Sequence, residues 1–284
     1  MFTILPNPTL FLQGLMCKHT LVIAKAEKRQ MLRVQWQRTE RERHHRATLN
    51  ASLSVATEVI WSGDSAGGIG AVASVDRVAT AIPSAIVAAA PIAGFYWDNA
   101  WPYTGPGAVP YIPFGVQDFA GYYNLWEIVV PSACAEALPL TPWACALANY
   151  SIPYAASPVF VIEMLTDSVQ LSLHSGVPEY NDDTTSYVLD FGRNMTAAVT
   201  ESVIDKPQDS PNLGRTGLFA ASCFSHTSFY YYGPFLADAA NGANASFVSA
   251  FADWFYQREG GVSRDLEDIC CESDESVIFN PTCN

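Results

Sequence analysis

The 284-residue sequence lacks several features that mark whole classes of protein. No apolar run is long enough to cross a membrane, so we expect no membrane span. No internal repeat is present, which argues against a repeat array. The cysteines show neither a Cys-x-x-Cys pair nor a paired Cys/His spacing, so we expect no metal site. The length instead suits an ordinary α/β domain with a buried core.

Positive charge is also scarce, and it is unevenly placed. The chain has 15 Lys and Arg against 28 Asp and Glu, a formal net charge of −13. Nine of the basic residues lie within residues 1–47, which contain three acidic residues, so the rest of the chain is strongly acidic. Because an acidic surface repels phosphate, we expect no nucleic-acid partner and a neutral or weakly charged substrate.

Residues 1–47 differ from the rest of the chain. The first 15 residues lack a basic start and are interrupted by Pro6 and Pro8, so they resemble a secretory signal poorly. Residues 18–34 predict a short strand and a basic helix. Residues 38–46 alternate in charge without an apolar stripe, which is typical of solvated helix or disorder; a basic recognition arm is the alternative. We therefore separate an aberrant basic segment, 1–47, from a main domain, 48–284.

Seven cysteines favour an oxidising, extracellular location. Cys134 and Cys145 enclose a proline-rich segment, and we expect them to pair. A second disulfide is expected between Cys283 and either Cys270 or Cys271. Cys17 and Cys223 are left without an assigned partner.

Glycosylation sequons point to the same location. The chain has four Asn-x-Ser/Thr sites without an intervening proline: Asn50, Asn149, Asn194 and Asn244. Together with the cysteines, they predict a secreted protein.

The stretch from Gly63 to Gly67 reads Gly-Asp-Ser-Ala-Gly. It follows the apolar, β-branched residues 58–61, which predict a buried strand, and precedes residues 71–78, which predict a helix. Strand, Gly-x-Ser-x-Gly and helix together predict a nucleophile elbow, in which Ser65 is exposed on a strained turn. The N–H of Ala66 then lies at a helix N-terminus, where it can bind an oxyanion. The alternative is a glycine-rich turn in which Ser65 merely caps the helix.

A nucleophilic serine needs a base and a carboxylate that orients the base. Asp167 follows the predicted strand 158–164, and His226 follows the predicted strand 217–223. His174 follows no strand, and the remaining three histidines precede Ser65. Strand-end positions in the order Ser, Asp, His predict a catalytic triad. A helix cap for Asp167 and a packed side chain for His226 remain the alternatives.

Four blocks of sequence resemble the family of pectin acetylesterases and Notum-type carboxylesterases. They are residues 63–70 followed by Val75-Asp76-Arg77, residues 94–98, residues 166–171 and residues 222–226. The resemblance implies a three-layer α/β-hydrolase-like fold with a mostly parallel sheet, incomplete at its N-terminal strands. It also implies no cofactor, with Ser65 as nucleophile, His226 as base and Asp167 as the residue that orients the base.

The resemblance implies two classes of substrate. Plant and microbial members deacetylate pectin, whereas animal Notum-type members remove a fatty acyl group from a secreted protein. We favour O-acetyl groups of a cell-wall polysaccharide, because aromatic residues are frequent between 96 and 123 and suit stacking on sugar rings. Tyr96 and Trp97 are our candidate substrate contacts, although core packing explains them nearly as well. We expect a monomer.

The sequence departs from the family at two places. Members carry a Gly-Gly-Gly-Trp-Cys-like loop upstream of the serine that donates N–H groups to the oxyanion, and residues 1–48 contain no match. An Asp-Ser pair of the family is replaced by Ile92-Ala93. These departures suggest either a chain missing its native N-terminal third or a carbohydrate-binding member that has lost catalysis.

Overall fold

The computed structural model describes residues 56–99, 101–221, 223–227 and 247–256, and the backbone of residues 20–26 and 31–35. Its six strands are β1 (Thr20–Ala26), β2 (Met31–Gln35), β3 (Ala56–Asp64), β4 (Ile86–Ile92), β5 (Val159–Met164) and β6 (Thr216–Ala221). They form one sheet in the order β2-β1-β3-β4-β5-β6. Strands β3 to β6 are parallel, so their carboxyl ends meet at one edge of the sheet, where ligand sites of such sheets lie.

The predicted basic helix within residues 18–34 is wrong. Residues 20–26 and 31–35 are instead two strands that pair antiparallel, and β1 also pairs antiparallel with β3, from Thr20↔Gly63 to Ala26↔Ala56. The β-branched and apolar run at the start of β1 suits a sheet, and pairing with β3 satisfies its backbone groups. The sequence-based prediction gave too much weight to charge, which does not determine secondary structure. The other residues of segment 1–47 lie outside the described part of the chain.

The described residues also form six α-helices: α1 (Ala66–Ala81), α2 (Val116–Trp126), α3 (Ser132–Ala137), α4 (Ala148–Ser151), α5 (Thr185–Val199) and α6 (Phe247–Phe255). Helix α2 is capped by one of its own side chains. The carboxylate of Asp118 accepts the N–H of Gly115 at 2.9 Å, which caps the helix start.

Alternate residues of the strands bury opposite faces of the sheet. Val59, Val159 and Val161 pack on one face with residues of α1 and α5. Ile60, Phe160 and Ile162 pack on the other face with Ala250 and Trp254 of α6. Because both faces are covered, β5 is apolar almost throughout, as expected for a central parallel strand. The expected three-layer α/β architecture is confirmed.

Candidate functional site

Ser65 lies between the end of β3 and the start of α1 in a strained conformation, with φ 55° and ψ −124°. Its N–H donates to the carbonyl of Ile92 at the end of β4, at 2.8 Å. Its own carbonyl accepts the N–H groups of Gly68 and Ile69, at 2.8 and 3.2 Å. A non-glycine residue with positive φ is uncommon, and such strain concentrates at functional sites. The turn has the strand-to-helix geometry of a nucleophile elbow.

Two glycines allow α1 to lie directly against the end of β4. A Cβ added to Gly68 would lie 2.9 Å from the Cα of Gly94, and a Cβ on Gly94 would lie 2.6 Å from the Cα of Gly68. Both separations are shorter than any stable contact, so a larger residue at either position would push the helix away. The glycines thereby fix the N-terminus of α1, and with it the N–H of Ala66, beside Ser65.

Asp167 and His226 lie together at the same edge of the sheet. The Nδ1 of His226 is 2.5 Å from the Oδ2 of Asp167. The other carboxylate oxygen of Asp167 accepts the N–H groups of Val169 and Gln170, at 2.9 and 2.8 Å. Asp167 is fully buried, whereas the His226 side chain is 13 % exposed. Two backbone donors and an imidazole therefore hold this carboxylate in one orientation.

Tyr96 lies beside Ser65 and close enough to Asp167 to be affected by its charge. Its hydroxyl lies 3.5 Å from the Oγ of Ser65, and it is buried. Burial and the negative charge of Asp167 both raise the pKa of the Tyr96 phenol, so it stays a neutral O–H group. Trp97, the other candidate substrate contact, is 6 % exposed and packs edge-on against Phe191 of α5, so it belongs to the core.

Glu163 of β5 is a buried acid that the sequence analysis missed. It is fully buried, and its two oxygens accept the N–H groups of Phe95 at 2.7 Å and Met164 at 3.0 Å. Burial and the charge of Asp167 raise its pKa well above the usual value. A charged residue inside the apolar run 159–164 was the available signal, because such residues are rarely buried without a role.

His174 lies nearer to the site than its position in the sequence suggested. Its ring packs against Tyr96 and Phe114, with centroid separations of 5.6 and 4.3 Å, and its Nδ1 is 2.9 Å from the carbonyl of Ile112. Burial lowers the pKa of His174. The sequence analysis rejected it as a base because no strand precedes it, but that criterion does not exclude a residue that lines the site.

A cleft of about 250 Å³ opens beside His174. Its walls combine polar and aromatic side chains, among them Asp98, Asn99, Asp118, Tyr111, Phe114 and His174. Since His174 touches Tyr96 and Tyr96 touches Ser65, the cleft lies one side chain away from the serine. Carboxylates, amides and aromatic rings are the groups with which proteins bind sugar hydroxyls and ring faces.

The predicted disulfide between Cys134 and Cys145 is confirmed. Cys223, to which the sequence analysis assigned no partner, is also disulfide-bonded. Cys17, Cys270, Cys271 and Cys283 lie outside the described residues, so the predicted C-terminal pairing stays a prediction.

Two of the four candidate glycosylation sites, Asn149 and Asn194, lie in the described part of the chain. Asn194 is exposed on α5, whereas Asn149 is half-buried, with a buried Oδ1 that lacks a hydrogen-bond partner within the described residues. Asn194 is therefore the more accessible site. Asn50 and Asn244 lie outside the described residues, and glycosylation stays a prediction at all four positions.

Two properties of the described residues bear on other functions. None of their helices combines the length and the apolar character needed to cross a membrane. No group of three or more His, Cys, Asp and Glu side chains among them is arranged to hold a metal ion.

A three-layer α/β fold with an elbow serine, and with a His–Asp pair at the ends of neighbouring parallel strands, defines a protein of the α/β-hydrolase class. The sequence model of the pectinacetylesterase family matches residues 46–284. The chain therefore belongs to the pectinacetylesterase family, whose name denotes a carboxylic ester hydrolase.

The chain is also similar to Notum proteins. It is 24 % identical over 174 residues to the palmitoleoyl-protein carboxylesterase Notum of Drosophila melanogaster, covering 60 % of this chain and 23 % of that protein. Two crystal structures of the Wnt deacylase Notum from Drosophila share the fold. One has a TM-score of 0.59 at 19 % identity and covers 76 % of this chain and 58 % of that one. The other has a TM-score of 0.60 at 18 % identity and covers 79 % and 64 %. The chain thus spans less than two thirds of the length of these relatives.

Proposed function

We propose that this protein is a serine carboxylesterase that removes O-acetyl groups from pectin or a related extracellular polysaccharide. The observation that carries the proposal is the strained elbow of Ser65 at the same sheet edge as the hydrogen-bonded pair of His226 and Asp167. Membership of the pectinacetylesterase family supports the reaction class.

In the proposed first step, Ser65 Oγ bonds to the carbonyl carbon of the acetyl ester and its proton passes to Nε2 of His226. The N–H of Ala66, at the start of α1, donates to the oxyanion. The sugar alkoxide leaves with the proton from His226, which gives the free hydroxyl and an acetyl-Ser65 ester. Water then bonds to the carbonyl carbon of this ester while His226 takes one of its protons, and Ser65 Oγ leaves with that proton as the acetyl group is released as acetic acid, which ionises to acetate.

Asp167 acts on His226 rather than on the substrate. Because its carboxylate accepts the N–H at Nδ1, the other ring nitrogen is left with a lone pair for the serine proton. The negative charge also stabilises the imidazolium that forms during attack. The two backbone N–H groups on the second oxygen keep the carboxylate from rotating away.

A second candidate function is cleavage of a fatty acyl ester from a secreted protein, which the similarity to Notum favours. A long acyl chain needs a deep, apolar pocket, whereas an acetyl group needs little space. The cleft beside His174 has four acidic or amide side chains in its walls, namely Asp98, Asn99, Gln117 and Asp118. This chemistry supports the polysaccharide over the lipid. A third candidate, a carbohydrate-binding protein without catalysis, shares the cleft but needs no reactive serine.

Labelling with a fluorophosphonate probe tests the reaction class. We expect wild-type protein to be labelled and the Ser65→Ala variant, still folded, to be unlabelled. A folded wild-type protein that resists the probe would favour the non-catalytic candidate. Release of acetate from acetylated pectin, compared with hydrolysis of p-nitrophenyl palmitate, then tests the substrate. A clear preference for the palmitate would overturn the polysaccharide assignment.

Tyr111 offers a test of the cleft itself. It lines the cleft and is 39 % exposed. We expect Tyr111→Ala to raise the KM for acetylated pectin about tenfold, because one ring that stacks on the sugar is lost. Hydrolysis of p-nitrophenyl acetate should be unchanged. Tyr256, which is 52 % exposed and directly follows α6, is the matched control. Its replacement by Ala should change neither the KM for acetylated pectin nor the hydrolysis of p-nitrophenyl acetate. An unchanged KM for Tyr111→Ala would remove the cleft from the pectin site.

The proposed location is extracellular and the proposed state is a monomer. Two features support the extracellular location, because disulfide formation and N-glycosylation both take place in the secretory pathway. They are the disulfide bonds at Cys134, Cys145 and Cys223 and the exposed sequon at Asn194. Loss of apparent mass after glycosidase treatment of the secreted protein would test the sequon, and light scattering would test the monomer.

A further inference from the structure

The hydroxyl group of Tyr96 is a buried polar group that the mechanism proposed above does not use. Its oxygen lies 3.5 Å from the Oγ of Ser65, whereas a well-formed O–H···O hydrogen bond measures about 2.5–3.0 Å. Tyr96 is 4 % exposed, so water has little access to this hydroxyl. A buried hydroxyl that makes one long hydrogen bond is poorly satisfied in the resting protein. It can therefore donate to another oxygen that appears beside Oγ.

Packing fixes the ring of Tyr96. Phe114 and His174 lie against it, with ring centroids 5.0 and 5.6 Å away. The backbone carbonyl of Tyr96 accepts the N–H of Ala148 at 2.7 Å. Because ring and backbone are both held, the hydroxyl keeps its position beside the serine and needs no rearrangement during a reaction.

The turn that carries Tyr96 is bonded to the elbow. The N–H of Ser65 donates to the carbonyl of Ile92, and the N–H of Ala93 donates to the carbonyl of Ile162 on the neighbouring strand, both at 2.8 Å. Ala93 has a positive φ of 45°, as Ser65 has one of 55°. Two strained non-glycine residues persist here because the surrounding structure holds them. The separation between the Tyr96 hydroxyl and Oγ is thereby set by the backbone.

The protonation state of Tyr96 makes it a donor. Burial and the negative charge of Asp167 raise the pKa of Tyr96, so the phenol keeps its proton at neutral pH. A neutral phenol cannot take the serine proton as a base, but it can donate its O–H to an oxygen that becomes negative. The same buried surroundings make an oxyanion unfavourable without a donor, so such a hydrogen bond has a large effect on rate.

The oxyanion of the proposed reaction forms close to this donor. When Oγ of Ser65 bonds to the carbonyl carbon of the ester, the carbonyl oxygen becomes an oxyanion that one carbon separates from Oγ. A hydroxyl 3.5 Å from Oγ can then lie at about 2.7–3.1 Å from that oxyanion, the range in which oxyanion donors act. The N–H of Ala66, the residue after Ser65, is the backbone donor at the same position.

We propose that Tyr96 is a catalytic residue whose hydroxyl group, together with the N–H of Ala66, donates a hydrogen bond to the oxyanion of the tetrahedral intermediate. In the first step the Oγ–carbon bond forms, the π electron pair of the carbonyl moves to its oxygen, and the serine proton passes to His226. Tyr96 keeps its own proton throughout. Attack of water on the acetyl-Ser65 ester forms a second oxyanion at the same place. The inference rests on the proposed function, because it needs Ser65 as the nucleophile.

The substitution Tyr96→Phe tests the proposal, because it removes one oxygen atom and keeps the ring. We expect kcat on p-nitrophenyl acetate to fall about 10²-fold with little change in KM, as for the loss of one oxyanion donor. Tyr103→Phe is the matched control, since Tyr103 is also buried and its hydroxyl donates to the carbonyl of Pro106 at 3.0 Å. Its kcat should equal that of wild type. A folded Tyr96→Phe variant whose kcat falls less than tenfold, or rises, would overturn the proposal.

An analogue of the tetrahedral intermediate tests the same hydrogen bond without turnover. A serine adds to the carbonyl of 2,2,2-trifluoroacetophenone: the Oγ–carbon bond forms, the serine proton passes to the histidine, and the ketone oxygen becomes an oxyanion. Fluorine NMR of the bound ketone gives its dissociation constant. We expect this constant to rise at least tenfold in Tyr96→Phe and to stay unchanged in Tyr103→Phe. Equal constants for Tyr96→Phe and wild type would also overturn the proposal.

Ser65→Ala distinguishes failure of this inference from failure of the proposed function. If folded Ser65→Ala still hydrolyses p-nitrophenyl acetate, the proposed function fails and the role of Tyr96 fails with it. If Ser65→Ala abolishes both hydrolysis and ketone binding while Tyr96→Phe changes neither, the proposed function stands and the role of Tyr96 alone is wrong.

Discussion

Replacing Asp167 by Asn tests the proposed triad most directly, because it changes hydrogen bonding with almost no change in shape. The amide has one acceptor and one donor where the carboxylate has two acceptors. If the amide oxygen faces Val169 and Gln170, its NH₂ group faces Nδ1 of His226. If the amide is reversed, the NH₂ group faces the two backbone N–H donors instead.

The contacts decide between the two orientations. The reversed amide leaves two buried N–H groups without an acceptor, at a cost of about 1–3 kcal/mol each. The first orientation sacrifices one bond, to His226, and the imidazole can adapt by moving its proton to Nε2. That tautomer cannot accept the proton of Ser65. The same change lowers kcat about 10⁴-fold in serine proteases that use these three groups, which corresponds to about 5.4 kcal/mol.

We therefore expect Asp167→Asn to fold normally and to lose about 10⁴-fold in kcat on p-nitrophenyl acetate. Single-turnover release of p-nitrophenol measures the step, and a melting curve confirms the fold. Combining Asp167→Asn with His226→Ala should cost little more than His226→Ala alone, because the residues act as one unit. A folded variant that keeps more than a tenth of the wild-type kcat would refute the assignment of Asp167.

Two further predictions concern stability. Replacing Cys134 and Cys145 together by Ser should lower the free energy of unfolding by roughly 3 kcal/mol in the chain-entropy model. Urea denaturation under non-reducing conditions measures the change. An unchanged denaturation midpoint would show that the disulfide does not stabilise the fold. Burial lowers the pKa of Lys206 from 10.5 to about 8, so between these pH values the folded lysine is neutral and unfolding takes up a proton. The stability of wild type relative to Lys206→Met should therefore rise by about 1–3 kcal/mol from pH 8 to pH 10.5. Arg193→Met, which breaks an exposed ion pair, is the control and should show no such slope.

Much of the fold and the central features of the site follow from local patterns. The apolar runs that became β3, β4, β5 and β6 are short and bounded, as buried parallel strands are. Ser65, Asp167 and His226 were chosen because each follows such a run, and in a parallel sheet those ends must meet. One short strand was predicted within residues 18–34, but β2 and the pairing of β1 with β3 were not, because that pairing is a long-range contact that no window of sequence contains.

The surroundings of the site were harder to predict, for a physical reason. His174 belongs to the cleft because the loop that carries Ile112 folds back onto it, and no periodicity records where a loop returns. Tyr96 and Trp97 are adjacent in sequence and equally aromatic, yet one lies beside Ser65 and the other packs on α5. Successive residues point in different directions, so composition alone cannot assign either to a substrate.

Glu163 shows what the sequence does contain when it is considered with the strand around it. A carboxylate inside a fully buried strand is unfavourable unless it is neutralised, paired or hydrogen-bonded. Here the two carboxyl oxygens accept the backbone N–H groups of Phe95 and Met164, and the nearest charge, that of Asp167, is negative. Burial and that charge outweigh the two donors, so the pKa of Glu163 is raised well above its usual value. A buried acid one position before the end of a strand, four residues ahead of a second carboxylate, is thus a pattern from which a carboxyl group with a raised pKa can be predicted.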